Sequence, residues 1–342
     1  MVHYFPSKIL SLRRPMCTAY NPPLLLFLGM AALAQLAAPQ FGAAKDQAST
    51  ANSAELVSRA VKNEIAANGP SGTHFMFRNQ RKTPHVNQTK LIVETREATA
   101  GLLVEVDGHP LTPQQREAEA ARLQNYLRNP EELNRKRMQE KEDAGRTIRI
   151  VKALPFAFLY ERDGTQQGSA GVGGPGDELV RLKFHPNPNY EPPSRVEQVL
   201  TGMTGHLLID TRQNRIAEID GTLEKEVGFG WGILGHLDRG GRFLVQQADV
   251  GNHHWEITHM ELAFTGKILW LKKLNLHSSD SFSDFRVVAP DLTFSQGVAL
   301  LEKEAAHNQS SAPNPKQGKV EGKQQSKAGM KQEAEQTICC NH

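Results

Sequence analysis

The chain has 342 residues, 39% of them hydrophobic, with 40 basic against 37 acidic residues and three cysteines. That length supports a large core without disulfides. Lys8, Arg13 and Arg14 precede the first acid, Asp46, so the basic excess belongs to the N-terminus alone, and a nucleic-acid footprint is excluded.

Residues 1–44 read as an export signal: a basic start, an apolar run from Leu24 to Leu36, and small residues at Gly42-Ala43-Ala44. The run is shorter than the roughly 20 residues a bilayer span needs, so the mature chain is expected to lack a transmembrane segment. The expected location is the periplasm. Only Cys339 and Cys340 would remain after cleavage, in a tail with no prenylation box.

Residues 45–304 read as a single domain. Asn52 and Glu55 fit a capping box, and Leu56, Val57, Ala60, Val61 and Ile65 then recur at helical spacing up to Asn68-Gly69-Pro70. From Thr73 the period becomes two. Phe75 and Phe77, then Leu91 and Val93, then Leu102, Val104 and Val106 mark three antiparallel strands. An insert, 113–145, is dense in Arg, Lys and Glu and split by Asn129-Pro130, which predicts two charged surface helices. Thr147 to Leu154 fits helix or strand, and Phe156, Phe158 and Tyr160 are expected to share one strand face. The loop Gly164–Gly176 is glycine-rich, but neither a lysine-serine pair nor a helical pattern follows, which argues against phosphate binding.

Leu179 to Phe184 is a further strand, closed by Pro186-Asn-Pro-Asn189. A hairpin follows, with Leu207 and Ile209 on its first strand. The return strand places Ala217, Ile219, Gly221, Leu223 and Val227 on one face and acids on the other. In Gly228-Phe-Gly-Trp-Gly-Ile-Leu-Gly235 an extended chain would bare one face and crowd Phe229, Trp231 and Ile233 on the other. Strands are expected over Arg242–Val250, His254–Phe264 and Lys267–His277, with a turn at Thr265-Gly266, and Phe282–Ala289 can add another. Thr293 and Gln296 cap a closing helix. Residues 305–342 have almost no apolar content and read as a disordered tail.

The fold class expected is therefore α+β: a large curved antiparallel sheet of about ten strands, a half-barrel, covered by a few helices. No catalytic signature accompanies it: no nucleophile elbow, no paired Cys-x-x-Cys, no His-Glu-x-x-His. His253 and His259 sit too far apart along a strand to hold one ion, and His254 with Glu256 would need a third ligand from elsewhere. Asp210 reads as turn chemistry, and Asp280 and Asp284 as solvent-facing. No cofactor is expected.

What remains is apolar surface. Phe156, Phe158, Leu207, Ile209, Ile219, Leu223, Phe229, Trp231 and Trp270 are the candidate ligand-binding residues, and a filled core is the competing reading. The helix Asn52–Asn68, the strand pairs from Thr73 to Asp107, the insert Pro113–Gly145 and the hairpin Gly205–Leu223 follow one another in an order that resembles the periplasmic lipoprotein-carrier superfamily. That is the LolA/LolB-like fold, which also includes RseB-like sensor domains. The resemblance implies a half-barrel whose concave face binds a lipid or the acyl chain of a lipoprotein. The longer, more charged insert and the tail depart from those carriers. Two other readings compete: an envelope sensor docking a protein partner through Phe229–Leu234, and a hydrolase or metal enzyme using His254 and Glu256.

Overall fold

The computed structural model describes residues 43–67, 69, 72–229, 235–268 and 272–311. All but the last two residues of the expected export signal lie outside them, as do Trp231, Trp270 and residues 312–342.

Among the described residues, thirteen strands form one antiparallel sheet, accompanied by five α-helices. The strands are β1 (His74–Lys82), β2 (Asn87–Val93), β3 (Ala100–Val106), β4 (His109–Pro110), β5 (Phe158–Gln167), β6 (Glu178–Pro186), β7 (Met203–Asp210), β8 (Arg215–Leu223), β9 (Val227–Phe229), β10 (Gly235–Leu237), β11 (Arg242–Asp249), β12 (Trp255–Ile268) and β13 (Lys272–Val288). Their order across the sheet is β4-β3-β2-β1-β13-β12-β11-β8-β7-β6-β5, with β10 on β12 and β9 on β10. The sheet is open. The first and last strands meet in its middle, where β1 pairs with β13.

The helices are α1 (Ala43–Ala67), α2 (Pro113–Arg128), α3 (Pro130–Ala157), α4 (Arg195–Gln198) and α5 (Phe294–Ser311). Asn52 is interior to α1, so the capping box expected at Asn52 and Glu55 does not form. The alanine-rich stretch ahead of Asn52 continues the helix instead. Thr112 and Gln115 do form one at the start of α2, with Pro113 in the first turn. Pro130 then opens α3, and Glu131 and Glu132 complement its N-terminal dipole. α3 does not end near Gly145. It runs for 28 residues in all, roughly 42 Å, and takes in Thr147–Leu154 and Phe156.

Two helical layers cover the sheet on opposite faces. Leu56, Val57, Ala60 and Val61 of α1 and Ala153, Leu154 and Ala157 of α3 pack on Leu182, Leu207, Ile209, Ile216 and Leu223. At the other end, Phe294, Val298 and Leu301 of α5 and Leu123 of α2 pack on Met76, Leu91 and Val93. Met76 is flanked in β1 by Phe75 and Phe77, which point the other way and join Ile92, Met260 and Phe282. Both faces of β1 are therefore buried.

Two further expectations are corrected, at Thr265-Gly266 and at Asp280, while Asp284 is solvent-facing as expected. Thr265-Gly266 is no turn: β12 runs through it to Ile268, and β13 is one strand from Lys272 to Val288. Gly266 belongs there because a Cβ would run into the His236 carbonyl of adjoining β10. Asp280 is fully buried rather than solvent-facing. It accepts hydrogen bonds from Arg81 Nε at 2.8 Å and Asn79 Nδ2 at 3.3 Å. Asp284 is exposed, at a positive φ of 57°.

The glycine loop after β5 is a structural plug. Gly173 N–H donates to the Gln247 carbonyl at 2.8 Å, and Val172 is buried among Leu179, Leu208, Ala217 and Trp255. Gly173 lies at φ 70° against the Leu179 side chain, where a Cβ would crowd it.

Candidate functional site

The junction between α3 and β5 is built by the Pro186-Asn187-Pro188-Asn189 corner. Pro186 is the last residue of β6, opposite Phe158, and Pro188 holds the following residues out of helix and sheet. That leaves Asn187 to cap the end of α3: its backbone N–H donates to the Ala157 carbonyl, and its Nδ2 to the Phe156 carbonyl, both at 2.9 Å. Asn187 Oδ1 accepts from Asn189 N–H at 3.0 Å, an Asx turn that fixes the capping geometry.

With α3 stopped there, consecutive residues diverge. Phe158 starts β5 and is buried against Phe184, with ring centroids 4.6 Å apart. Phe156 lies in the last turn of α3, not on the strand face shared by Phe158 and Tyr160, and is 65% exposed. The period of two therefore fails at Ala157, because the chain is still helical there.

Phe156 stands over an open cleft of about 280 Å³, close to the lower end of small-molecule sites. Phe158 and Tyr160 from β5, Ala54 from α1 and Asn187 and Tyr190 from the corner line it. The Tyr160 hydroxyl donates to the Leu154 carbonyl at 2.6 Å, and burial raises its pKa. The Tyr190 hydroxyl is buried without a hydrogen-bond partner among the described residues, and burial and then the Glu197 charge raise its pKa. An unpaired buried hydroxyl carries a desolvation cost that a ligand acceptor would relieve. The cleft thus combines aromatic walls with polar residues of the corner, Asn187, Asn189, Tyr190 and Glu191.

The other candidates divide. Leu207, Ile209 and Leu223 are at most 1% exposed and interlock with α1 and α3; Ile219 and Phe229 are partly buried against the same cluster. Of the nine, Phe156 and Phe158 line the cleft. Tyr190 and Asn187 escaped the reading of the sequence, although the twice-repeated Pro-Asn was their signal. A second cleft, of about 390 Å³, lies along β1 and β13 between Phe77, Phe285 and the Arg286–Glu304 ion pair.

His254 and Glu256 do not assemble a three-ligand group among the described residues. The His254 ring packs edge-on against Phe75, with centroids 5.6 Å apart. Glu256 is buried with Oε2 unpaired among the described residues, and burial followed by the neighbouring Glu94 charge pushes its pKa up to about 8. The group whose ligand atoms do converge is Glu226, His236 and Asp238, at the base of the β9–β10 ribbon. Glu226 is exposed, and Asp238 also accepts from Thr265 Oγ1 at 2.7 Å.

No described helix is long and apolar enough to cross a membrane. No family model and no curated protein matches the chain. Among solved structures, the chain is similar to a crystal structure named for an outer membrane lipoprotein-sorting protein domain of Vibrio parahaemolyticus, at 9% identity and a TM-score of 0.29, over 73% of this chain and 99% of that one.

Proposed function

We propose that the protein is a non-enzymatic component of the bacterial envelope that binds an apolar ligand, a lipid or the acyl chain of a lipoprotein, with the Phe156 cleft as the binding site. The observation that carries this reading is a large aromatic side chain held in solvent beside an apolar cleft containing an unpaired hydroxyl. Phe158, two residues on, turns inward, while the Pro-Asn corner fixes the end of α3 beside the exposed Phe156 with two hydrogen bonds.

The cleft volume suits one end of an acyl chain, with the Tyr190 hydroxyl donating to a carbonyl or carboxylate oxygen of the ligand. Titration with a fluorescent fatty acid tests this. Saturable binding that Phe156→Asp abolishes supports it; unchanged binding by that variant refutes the site.

A further inference from the structure

Two short strands, β9 and β10, form a ribbon laid against β12, and their register sets the side chains at its base. Val227 pairs with Leu237, so Glu226 stands opposite Asp238 at the next position. Leu237 also pairs with Gly266, so Asp238 stands opposite Thr265. Its N–H donates to the Thr265 carbonyl at 2.9 Å, which continues the ladder. His236, two residues before Asp238, points to the same face. Three strands thus bring two carboxylates, an imidazole and a hydroxyl together, all at described positions.

Two carboxylates directly opposite each other weaken a strand pair. Lys267 lies opposite His236 on β12, placed to offset them, yet it makes no ion pair with either acid among the described residues. Both acids turn to one ring nitrogen instead. His236 Nε2 lies 3.3 Å from Asp238 Oδ1 and 4.0 Å from Glu226 Oε2, and all three ligand atoms lie within 4.8 Å of one another. An N–H at Nε2 serves one carboxylate, and at 4.0 Å the second is not hydrogen-bonded. Around a tetrahedral zinc ion with bonds of about 2.1 Å, neighbouring ligand atoms lie about 3.4 Å apart. A short swing of exposed Glu226 reaches that separation. Asp238 is held as metal-ligating carboxylates are: Thr265 Oγ1 donates to its Oδ2 at 2.7 Å and leaves Oδ1 toward the imidazole.

We propose that Glu226, His236 and Asp238 bind a divalent transition-metal ion of the zinc type, which ties β9 to β10 at the base of the ribbon. Imidazole combined with carboxylate suits zinc and its neighbours, whereas calcium takes about six to eight oxygen ligands. The ion cancels the repulsion between the opposed carboxylates. It requires a neutral His236, so protons compete with it. Three protein ligands leave a fourth position to water. The site is separate from the Phe156 cleft and does not depend on what that cleft holds.

Titration calorimetry of the full chain with zinc tests the assignment. The parent carries Cys339→Ser and Cys340→Ser, because adjacent thiols are zinc ligands in their own right. One zinc is expected to bind at about pH 7.5, and binding is lost on acidification to about pH 5. His236→Ala and Glu226→Gln should each abolish it, and exposed Glu226 is not needed for folding. Thr265→Val removes the hydroxyl that orients Asp238 and should weaken binding by about tenfold to a hundredfold. The control is His259→Ala, a β12 histidine beside Glu261 and Ser281, which should bind as the parent does. Thermal unfolding without zinc checks that each variant is folded, and added zinc should raise the melting temperature of the parent but not of Glu226→Gln. Loss in the site variants with the control intact supports the site. Binding that survives Glu226→Gln and His236→Ala, equal loss in the control, or no binding by the parent overturns it.

Discussion

Arg215 at the start of β8 grips Glu64 of α1 through two parallel hydrogen bonds of 2.9 Å each. Both residues are at least nine-tenths buried, and Glu64 also accepts the Ile216 N–H at 3.0 Å. The Arg215 guanidinium lies over Trp255, 5.6 Å from the ring centroid. A single helix residue thus fixes α1 over the sheet through a side chain and a strand backbone together. Removing one partner leaves the other as a buried unpaired charge, which costs about 3–5 kcal/mol. Arg215→Ala is therefore expected to lower the urea midpoint sharply. A shift below about 1 kcal/mol would mean that α1 is held by its apolar stripe alone.

Glu256 makes stability depend on pH in a defined direction. Its folded pKa of about 8 stands above the unfolded value of 4.5, so the folded state holds a proton that the unfolded state has released. The stability tied to that proton is complete below about pH 4.5 and is lost as pH rises to about 8. Glu256→Gln keeps the group neutral and should remove this part of the decline. Urea unfolding across that window checks it: a stability difference between the two proteins that stays constant with pH would place an ionised carboxylate at Glu256.

Stability measurements separate Phe156, the proposed binding residue, from the core. Leu207, buried against α1 and α3, should lose about 2–5 kcal/mol on change to Ala. Phe156, exposed, should change stability by about 0.5 kcal/mol or less on change to Asp. Thermal unfolding of the pair tests this contrast, and a large loss from Phe156→Asp would make it a packing residue.

Asn187 is expected to act through Phe156. Asn187→Ala removes the Nδ2 bond to the Phe156 carbonyl while keeping the backbone bond to Ala157. The expected cost is about 1 kcal/mol, with fatty-acid binding weakened because the last turn of α3 frays. Unchanged binding would show that the apolar walls suffice without that bond.

Most of the sheet was legible because its strands alternate cleanly. Leu207 faces Ile219 across the hairpin as a period of two demands, but a bulge between Leu208 and Ile209 then sets Ile216 opposite Ile209 and turns Ala217, expected on the same face as Ile219, to pack with Leu179 and Leu208 instead. Asp210 accepts from the backbone of Arg212 and Gln213, as its place before a turn suggested. The failures arise where long-range contacts override local pattern. Asp280 stands in a serine-rich stretch that looks like solvent-exposed loop, yet Arg81, far away in sequence, draws it inside. Thr265-Gly266 has turn composition, but the glycine is there for the approach of β10. Phe156 sits one residue before the chain changes from helix to strand, and nothing in Pro155-Phe156-Ala157 marks that point. The partner that sets it, Asn187, is thirty-one residues downstream.

Mass spectrometry of the natively purified protein tests the central claim most directly. Wild type should carry co-purifying lipid or fatty acid, and Phe156→Asp, folded to the same thermal stability, should not. A ligand-free wild type that also fails to take up added fatty acid would contradict the account and leave the cleft a surface depression beside a filled core.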